Sequence, residues 1–289
     1  LLPTLLLLLA GSQQAYAQNC GGIDPGFDPR CPAHSPPESG LSTGSQYAIA
    51  VASNAAVGGL TAGIGEHWRG GSFWRGFVHG AAGGGLVFAG KQVSAARFSG
   101  AGLLGRQITA VGGSVVNNAA AGRAPFARVV LPLGPLRVYA EPGASNWVRV
   151  KADAAGLVVM GYAATLPAAR LDAAESLSAG APVFAIDRDW DHRAAHAAGV
   201  IMVREHSSPR ERRFALAHER VHVAQYDYAF LAWSEPAEQW AANHSPAVGW
   251  MHRYVDFGAN AAFLGGLTYV IPSRYLPLER EADLLTGSR

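Results

Sequence analysis

Charge is scarce in this chain. Asp, Glu, Lys and Arg make up 15% of its 289 residues, well under the roughly 25% of ordinary soluble domains. The formal net charge is only +2, and no stripe of clustered lysine and arginine stands out. A general electrostatic pull toward nucleic acid is missing, and nucleic acid is excluded as a partner. Cysteine is scarcer still, with two residues in all. Cys20 and Cys31 enclose the Gly/Pro-rich stretch CGGIDPGFDPRC, and pairing them as a disulfide leaves no thiol for nucleophilic catalysis or metal ligation. Lipid attachment at Cys20 competes with that pairing, although Asn19 is a poor match to the small residue such a signal places there. Thiol-protease chemistry is excluded.

Apolar residues are plentiful at 49%, enough for one large domain or two smaller ones. LLPTLLLLLAG is too short to span a bilayer, and AYA at 15–17 has the small-x-small pattern that precedes a cleavage point. Residues 1–17 therefore read as a signal peptide, and the chain as exported: periplasmic, envelope-associated or secreted. Residues 18–45 are rich in Gly, Pro and Ser and read as a linker carrying the disulfide.

In residues 46–122 charges are few and small residues recur at helical spacing, among them Gly76, Gly80, Gly83, Gly84, Gly102, Gly105 and Gly112. On a helix this spacing lines glycine along one face, where two backbones can approach closely. Each interior glycine costs about 1 kcal/mol relative to alanine, so close packing has to offset it. Two settings satisfy the pattern: a tightly packed soluble or peripheral helical layer, and helices embedded in a membrane. His79, Lys91 and Arg106 interrupt the later segments. SFWRGFVHG at 72–80 reads as an interfacial anchor or as core aromatic packing.

Residues 125–205 read as strands. FARVVL, LRVYA, NWVRVK, GLVVMGYAA, PVFAI and GVIMV are short apolar runs separated by PLGP, EPGASN and DAAG. WVRV and RVYA alternate in the manner of a half-exposed antiparallel sheet. The pattern predicts an α+β fold with a Gly/Ala-rich helical N-terminal region, an antiparallel β-meander in the middle and a helical C-terminal region over 206–289.

That last region holds the chemistry. SSPRERRFALAHERVHVAQYDYAFLAW opens with Ser208, then Pro209 in the first turn and Glu211 three after the serine, a capping box with proline at its favoured position. Pro236 is expected to end or break the element. His218 and His222 lie four apart and project from one face, so both imidazoles can ligate one zinc ion. Glu219 falls just off that axis, placed to take a proton from a water on the metal rather than to ligate it. Zinc lowers the pKa of such a water to about 7, which makes hydroxide available at neutral pH. Two polar histidines decorating a plain helix are the bland alternative.

A third ligand has to come from elsewhere. In the thermolysin-like glutamate zincins it is a Glu on a later helix, in an E-x-x-x-D arrangement whose Asp orients the first histidine. SRYLPLEREADLL is similar to that arrangement. Glu279 and Asp283 lie on one helical face, and Ala282 is small enough to let this helix sit close to the first. HERVH together with the SR…E-x-x-A-D ending resembles the gluzincin metallopeptidases, most of all the M48 family of membrane-associated endopeptidases. The resemblance covers 208–227 and 273–285. It implies His218, His222 and Glu279 as zinc ligands, Glu219 as general base and Asp283 behind His218. Members of that family carry hydrophobic spans around the catalytic domain. Here a leader, a Gly-rich block and a sheet stand instead, which points to an exported gluzincin-like group beside it. Glu281 is the rival third ligand; failing both carboxylates, His206, His244 or His252 would have to complete the site.

Peptide hydrolysis also needs a donor for the oxyanion. Tyr269, Tyr275, Arg274 and His252 are chemically suited. Substrate would lie along a sheet edge, for which GVIMV at 199–203 is the candidate, although it reads equally as an interior strand. Gln225, three after His222, faces the metal-bearing side and can bond to a neighbouring loop or to the site. The expected function is an exported, zinc-dependent metalloendopeptidase acting on a peptide or protein, with membrane association through 46–122 as an option. The competing readings are a non-enzymatic envelope protein with a structural zinc site, and an exported toxin or effector carrying the same warhead.

Overall fold

Three long helices come first among the described residues: α1 (Thr43–Trp68), α2 (Phe73–Ala95) and α3 (Ala101–Ala120). The computed structural model describes residues 42–186, 194–205, 208–259 and 277–287. The leader, Cys20, Cys31, His206, Tyr269, Arg274 and Tyr275 lie outside the described residues. Ser42 caps α1 by accepting from the Ser45 amide at 3.2 Å, and Ser72 caps α2 by accepting from the Arg75 amide at 3.4 Å. Small residues then set the packing. A Cβ on Gly83 of α2 would sit 2.8 Å from the Gly112 carbonyl oxygen of α3, and one on Gly112 would sit 2.7 Å from that of Gly83. Any side chain there would drive the helices apart, so the stability lost to glycine is offset by backbone-to-backbone contact. Gly58 and Gly80 make the same close approach between α1 and α2.

The expected α+β fold is present. β1 (Val129–Leu133), β2 (Leu136–Ala140) and β3 (Val148–Asp153) form the antiparallel meander, and β8 (Val255–Asp256) adds to β3 in parallel. Gly134, at φ 58°, turns the first hairpin.

GLVVMGYAA is not a strand. It lies in α4 (Ala154–Thr165), where Asp153 accepts the Gly156 amide at 3.1 Å as N-cap. A short apolar run reads equally as buried strand or buried helix, and here the aspartate cap decides for helix. Ala155, Val159 and Ala163 pack into a core with Phe184, Ile186, Val200 and Met202 of the second sheet.

That second sheet is mixed. Its order is β4 (Arg170–Leu171), β5 (Val183–Ile186), β7 (Val200–Arg204), β6 (Ala194–Ala197), with β5 and β7 parallel and the outer pairs antiparallel. A short helix, α5 (Ala173–Ala179), separates β4 from β5. GVIMV is therefore an interior strand and not the edge. Its buried residues leave it no polar alternation, as a strand covered on both faces requires. The edge beside it is β6.

α6 (Pro209–Ala229) carries the predicted capping box: Ser208 accepts from the Glu211 amide at 3.2 Å, and the Glu211 carboxylate accepts from the Ser208 amide at 2.9 Å. Pro236 does not break the helical run. A π-helical turn at Phe230–Ser234 resets the ladder, and the proline falls in the first turn of α7 (Glu235–His244), where a missing N–H costs nothing. α8 (Pro246–Met251) and α9 (Pro277–Thr286) are the last helices among the described residues. α6 runs through the centre, against α2, α3, α9 and the β6–β7 edge of the second sheet. Buried ion pairs hold its surroundings: Arg106 Nε to Asp227 Oδ2 at 2.5 Å, Arg128 Nη1 to Glu235 Oε1 at 2.8 Å, and Arg137 Nη2 to Asp153 Oδ2 at 2.6 Å.

Candidate metal centre

The two imidazoles of α6 meet a carboxylate of α9. His218 Nε2 and His222 Nε2 lie 2.9 Å apart, and Glu279 Oε2 lies 3.3 Å from each. These three atoms could hold a metal ion. The helical spacing of four puts the rings on one face; the close approach of α9 supplies the third group. Ala282 is fully buried between Ala95 and Val221, so α9 sits tightly on α6 and α2. The side chains of His218 and Glu279 keep 14% and 16% exposure, which leaves the cluster reachable from outside.

Each of the two histidines has a partner behind it. Asp283 Oδ1 faces His218 Nδ1 at 3.5 Å. His222 Nδ1 donates to Gln225 Oε1 at 2.7 Å, and the Gln225 amide donates in turn to the Leu278 carbonyl at 3.0 Å and to Glu281 Oε2 at 2.9 Å. Of the two partners expected for Gln225 from the sequence, the contact behind the site is made, whereas the carbonyl it reaches belongs to the first turn of α9 and not to a loop. Glu281 is not at the cluster; it pairs with Lys91 at 2.7 Å.

The electrostatics favour one positive charge at the centre. Burial works against charge on His222, but the Glu279 carboxylate outweighs it, and the imidazole is held up to about 10. Burial would raise Glu279, yet His222 and His218 reverse that and leave its carboxyl well below the usual range. The raised His222 imidazole favours a proton, which a bound metal ion would have to displace. Glu219 is buried directly beside the ligands, and burial raises its carboxyl above the ordinary value despite both histidines. A raised carboxylate is a better proton acceptor near neutral pH.

Sequence reasoning missed His196. It stands on the edge strand β6, and its ring stacks on His222 with centroids 5.8 Å apart and planes 17° apart. Its Nε2 is shut from solvent and meets no hydrogen-bond partner among the described residues. Burial, then the charge of His222, lowers it to about 3, so it stays neutral. A lone histidine in AAHA just before a buried strand was the available signal, and only the pairing of β6 with β7 makes it meaningful.

Other expected groups lie elsewhere. His244 is exposed on α7, with Nδ1 bonded to the Trp240 carbonyl at 2.8 Å. His252 joins Glu238 and Asp256 in a second cluster. There Lys151 Nζ lies 3.3 Å from His252 Nε2 and 3.1 Å from Asp256 Oδ1, while the amides of Phe257 and Gly258 donate to Glu238. A lysine already supplies the cation, so this node ties β3, β8 and α7 together instead of offering an open metal site.

No family model, curated protein or solved structure matches the chain. What it does has to be argued from the site itself.

Proposed function

We propose that the protein is a zinc-dependent metallopeptidase that works outside the cytoplasm. The observation that carries this reading is the convergence of His218, His222 and Glu279, with Glu219 next in sequence and buried alongside. The ligand spacings suit the ion. Zinc bonds of about 2.0–2.1 Å in a tetrahedron set the ligand atoms about 3.3–3.4 Å apart; two of the three separations here are 3.3 Å and the third is 2.9 Å. Two imidazoles and one carboxylate leave a fourth position open, the donor set of hydrolytic rather than structural zinc. Zinc, when bound, supplies a Lewis acid that acidifies water and polarises a carbonyl.

The chain's own groups divide the remaining work. Glu219, its proton affinity raised by burial, takes the proton from the attacking water and returns it to the leaving amine. Asp283 and Gln225 hold the rings of His218 and His222. A peptide laid along β6 would form main-chain bonds beside the centre, with little side-chain selectivity.

The outer face of α1 extends the reading to a lipid surface. Among the described residues α1 is the one helix long and apolar enough to cross a membrane. No charged residue occurs between Gln46 and Gly65; Ile49, Val57, Leu60 and Ile64 are exposed, and Trp68 (83% exposed) and Trp74 (70%) stand at one end. Exposed tryptophans at the end of an apolar helix suit a membrane interface.

Digestion of casein and a peptide library by wild type and Glu219→Gln, with zinc content measured on both, tests the peptidase reading. Chelator-sensitive cleavage by the wild type, falling at least about 100-fold in a folded, zinc-loaded variant, is expected. Zinc-loaded wild type that cleaves nothing, or equal cleavage by the two proteins, would overturn it and leave a structural zinc protein.

A further inference from the structure

We propose that Lys91 and Asn54, on the N-terminal helices, are positioning residues for the metal centre, acting on His222 through Glu281 and Gln225. The inference rests on the zinc reading above and deepens it.

A continuous hydrogen-bonded chain joins the groups. Lys91 Nζ donates to Glu281 Oε2 at 2.7 Å and to Asn54 Oδ1 at 2.8 Å. The Asn54 amide donates to Glu281 Oε1 at 2.6 Å and to the Ala50 carbonyl at 2.9 Å. Glu281 Oε2 also accepts from Gln225 Nε2 at 2.9 Å, and Gln225 Oε1 accepts from His222 Nδ1 at 2.7 Å. Four helices contribute: α1, α2, α6 and α9.

The chemistry of each link dictates the next. A carboxylate only accepts, so Glu281 compels Gln225 to turn its NH2 toward it. The amide oxygen then has to face His222, and that fixes the hydrogen on Nδ1. Nε2 is left as the atom directed at His218 and Glu279. Were the amide reversed, its NH2 would meet Nδ1, the ring would carry its hydrogen on Nε2, and the ligand lone pair would point away from the centre. Lys91 is 3% exposed, and a buried ammonium requires a carboxylate partner. It thereby locks Glu281 in place, and with it the helix that also bears Glu279.

The Gly-rich helices are thus built into the metal centre and are not a detachable anchor. Glu281, placed first as a rival ligand, becomes the group that sets which nitrogen of His222 is free.

The test uses the full chain as wild type, Lys91→Met, Lys91→Arg and Glu281→Gln. Zinc affinity is measured by competition with a chromophoric chelator, and fold by circular dichroism of the zinc-free proteins. Affinity is expected to fall about 10- to 100-fold in Lys91→Met and Glu281→Gln, with partial recovery in Lys91→Arg. Glu281→Gln keeps the side-chain volume, so it stays informative if Lys91→Met does not fold. In zinc-loaded wild type, nitrogen NMR should find the hydrogen of His222 on Nδ1. Affinities within twofold of wild type in the folded variants, or zinc bound through Nδ1 of His222, would overturn this proposal while leaving the zinc reading intact. A wild type that binds no zinc would remove both.

Discussion

Glu279 and Glu281 stand two residues apart on α9 and meet different partners. Glu279 Oε2 lies 3.3 Å from both imidazoles of the centre, while Glu281 Oε2 lies 2.7 Å from Lys91 Nζ. Two positions along a helix turn a side chain by roughly 200°, so one helix can address two elements at once. Their consequences should differ.

Glu279→Gln removes the proposed zinc-binding carboxylate and keeps the volume. Its zinc affinity, measured by chelator competition, should fall by more than about 100-fold, beyond the 10- to 100-fold range of a lost outer partner. An affinity within tenfold of wild type would mean that another group completes the coordination.

Asp227 is buried on the same helix as the histidines and holds Arg106 through Nε at 2.5 Å and Nη2 at 3.1 Å. Asp227→Ala leaves that guanidinium with the Gly180 carbonyl but without a countercharge. The expected loss is about 3–5 kcal/mol of unfolding free energy in urea titration. Removing both charges, as Arg106→Met with Asp227→Leu, should cost much less. A single variant within 1 kcal/mol of wild type, on the order of a surface pair's worth, would show that water reaches the pair.

Stability of the zinc-free protein should depend on pH in a specific sense. His222 is raised from 6.5 to about 10 in the fold, so its contribution is complete below 6.5 and is lost as pH rises toward 10. Glu279 is depressed, so its contribution is present above its unfolded value of 4.5 and fails as pH falls well below that. Thermal midpoints of chelator-treated protein should peak between these limits and decline from pH 7 to 10. Glu279→Gln should flatten that alkaline decline. A midpoint rising through the same window would contradict the pairing.

Leu60 and Ile64 lie exposed on the uncharged face of α1. If this face meets lipid, wild type should co-sediment with vesicles of zwitterionic and anionic phospholipid, and Leu60→Glu with Ile64→Glu should stay in the supernatant. Equal partitioning of the two proteins would assign the face another role.

The sequence by itself determined whatever depends on neighbours a few residues away. The capping box at Ser208, the shared face of His218 and His222, the glycine stripes of α2 and α3 and the β1–β2–β3 meander all follow from short-range periodicity and turn chemistry. Such features are written into local backbone geometry and need no distant partner. Tertiary structure alone decided the rest. GLVVMGYAA reads as a strand from its apolar run, but packing on the second sheet holds it as a helix. GVIMV could be edge or interior until β6 paired beside it and brought His196 against His222. Asp283, four residues on, favoured Glu279 over Glu281 in the sequence, but what Glu281 does instead was decided by Lys91, 190 residues before it. A buried charge is compatible only with the partner that the whole fold places within reach, and no local pattern records which partner that is.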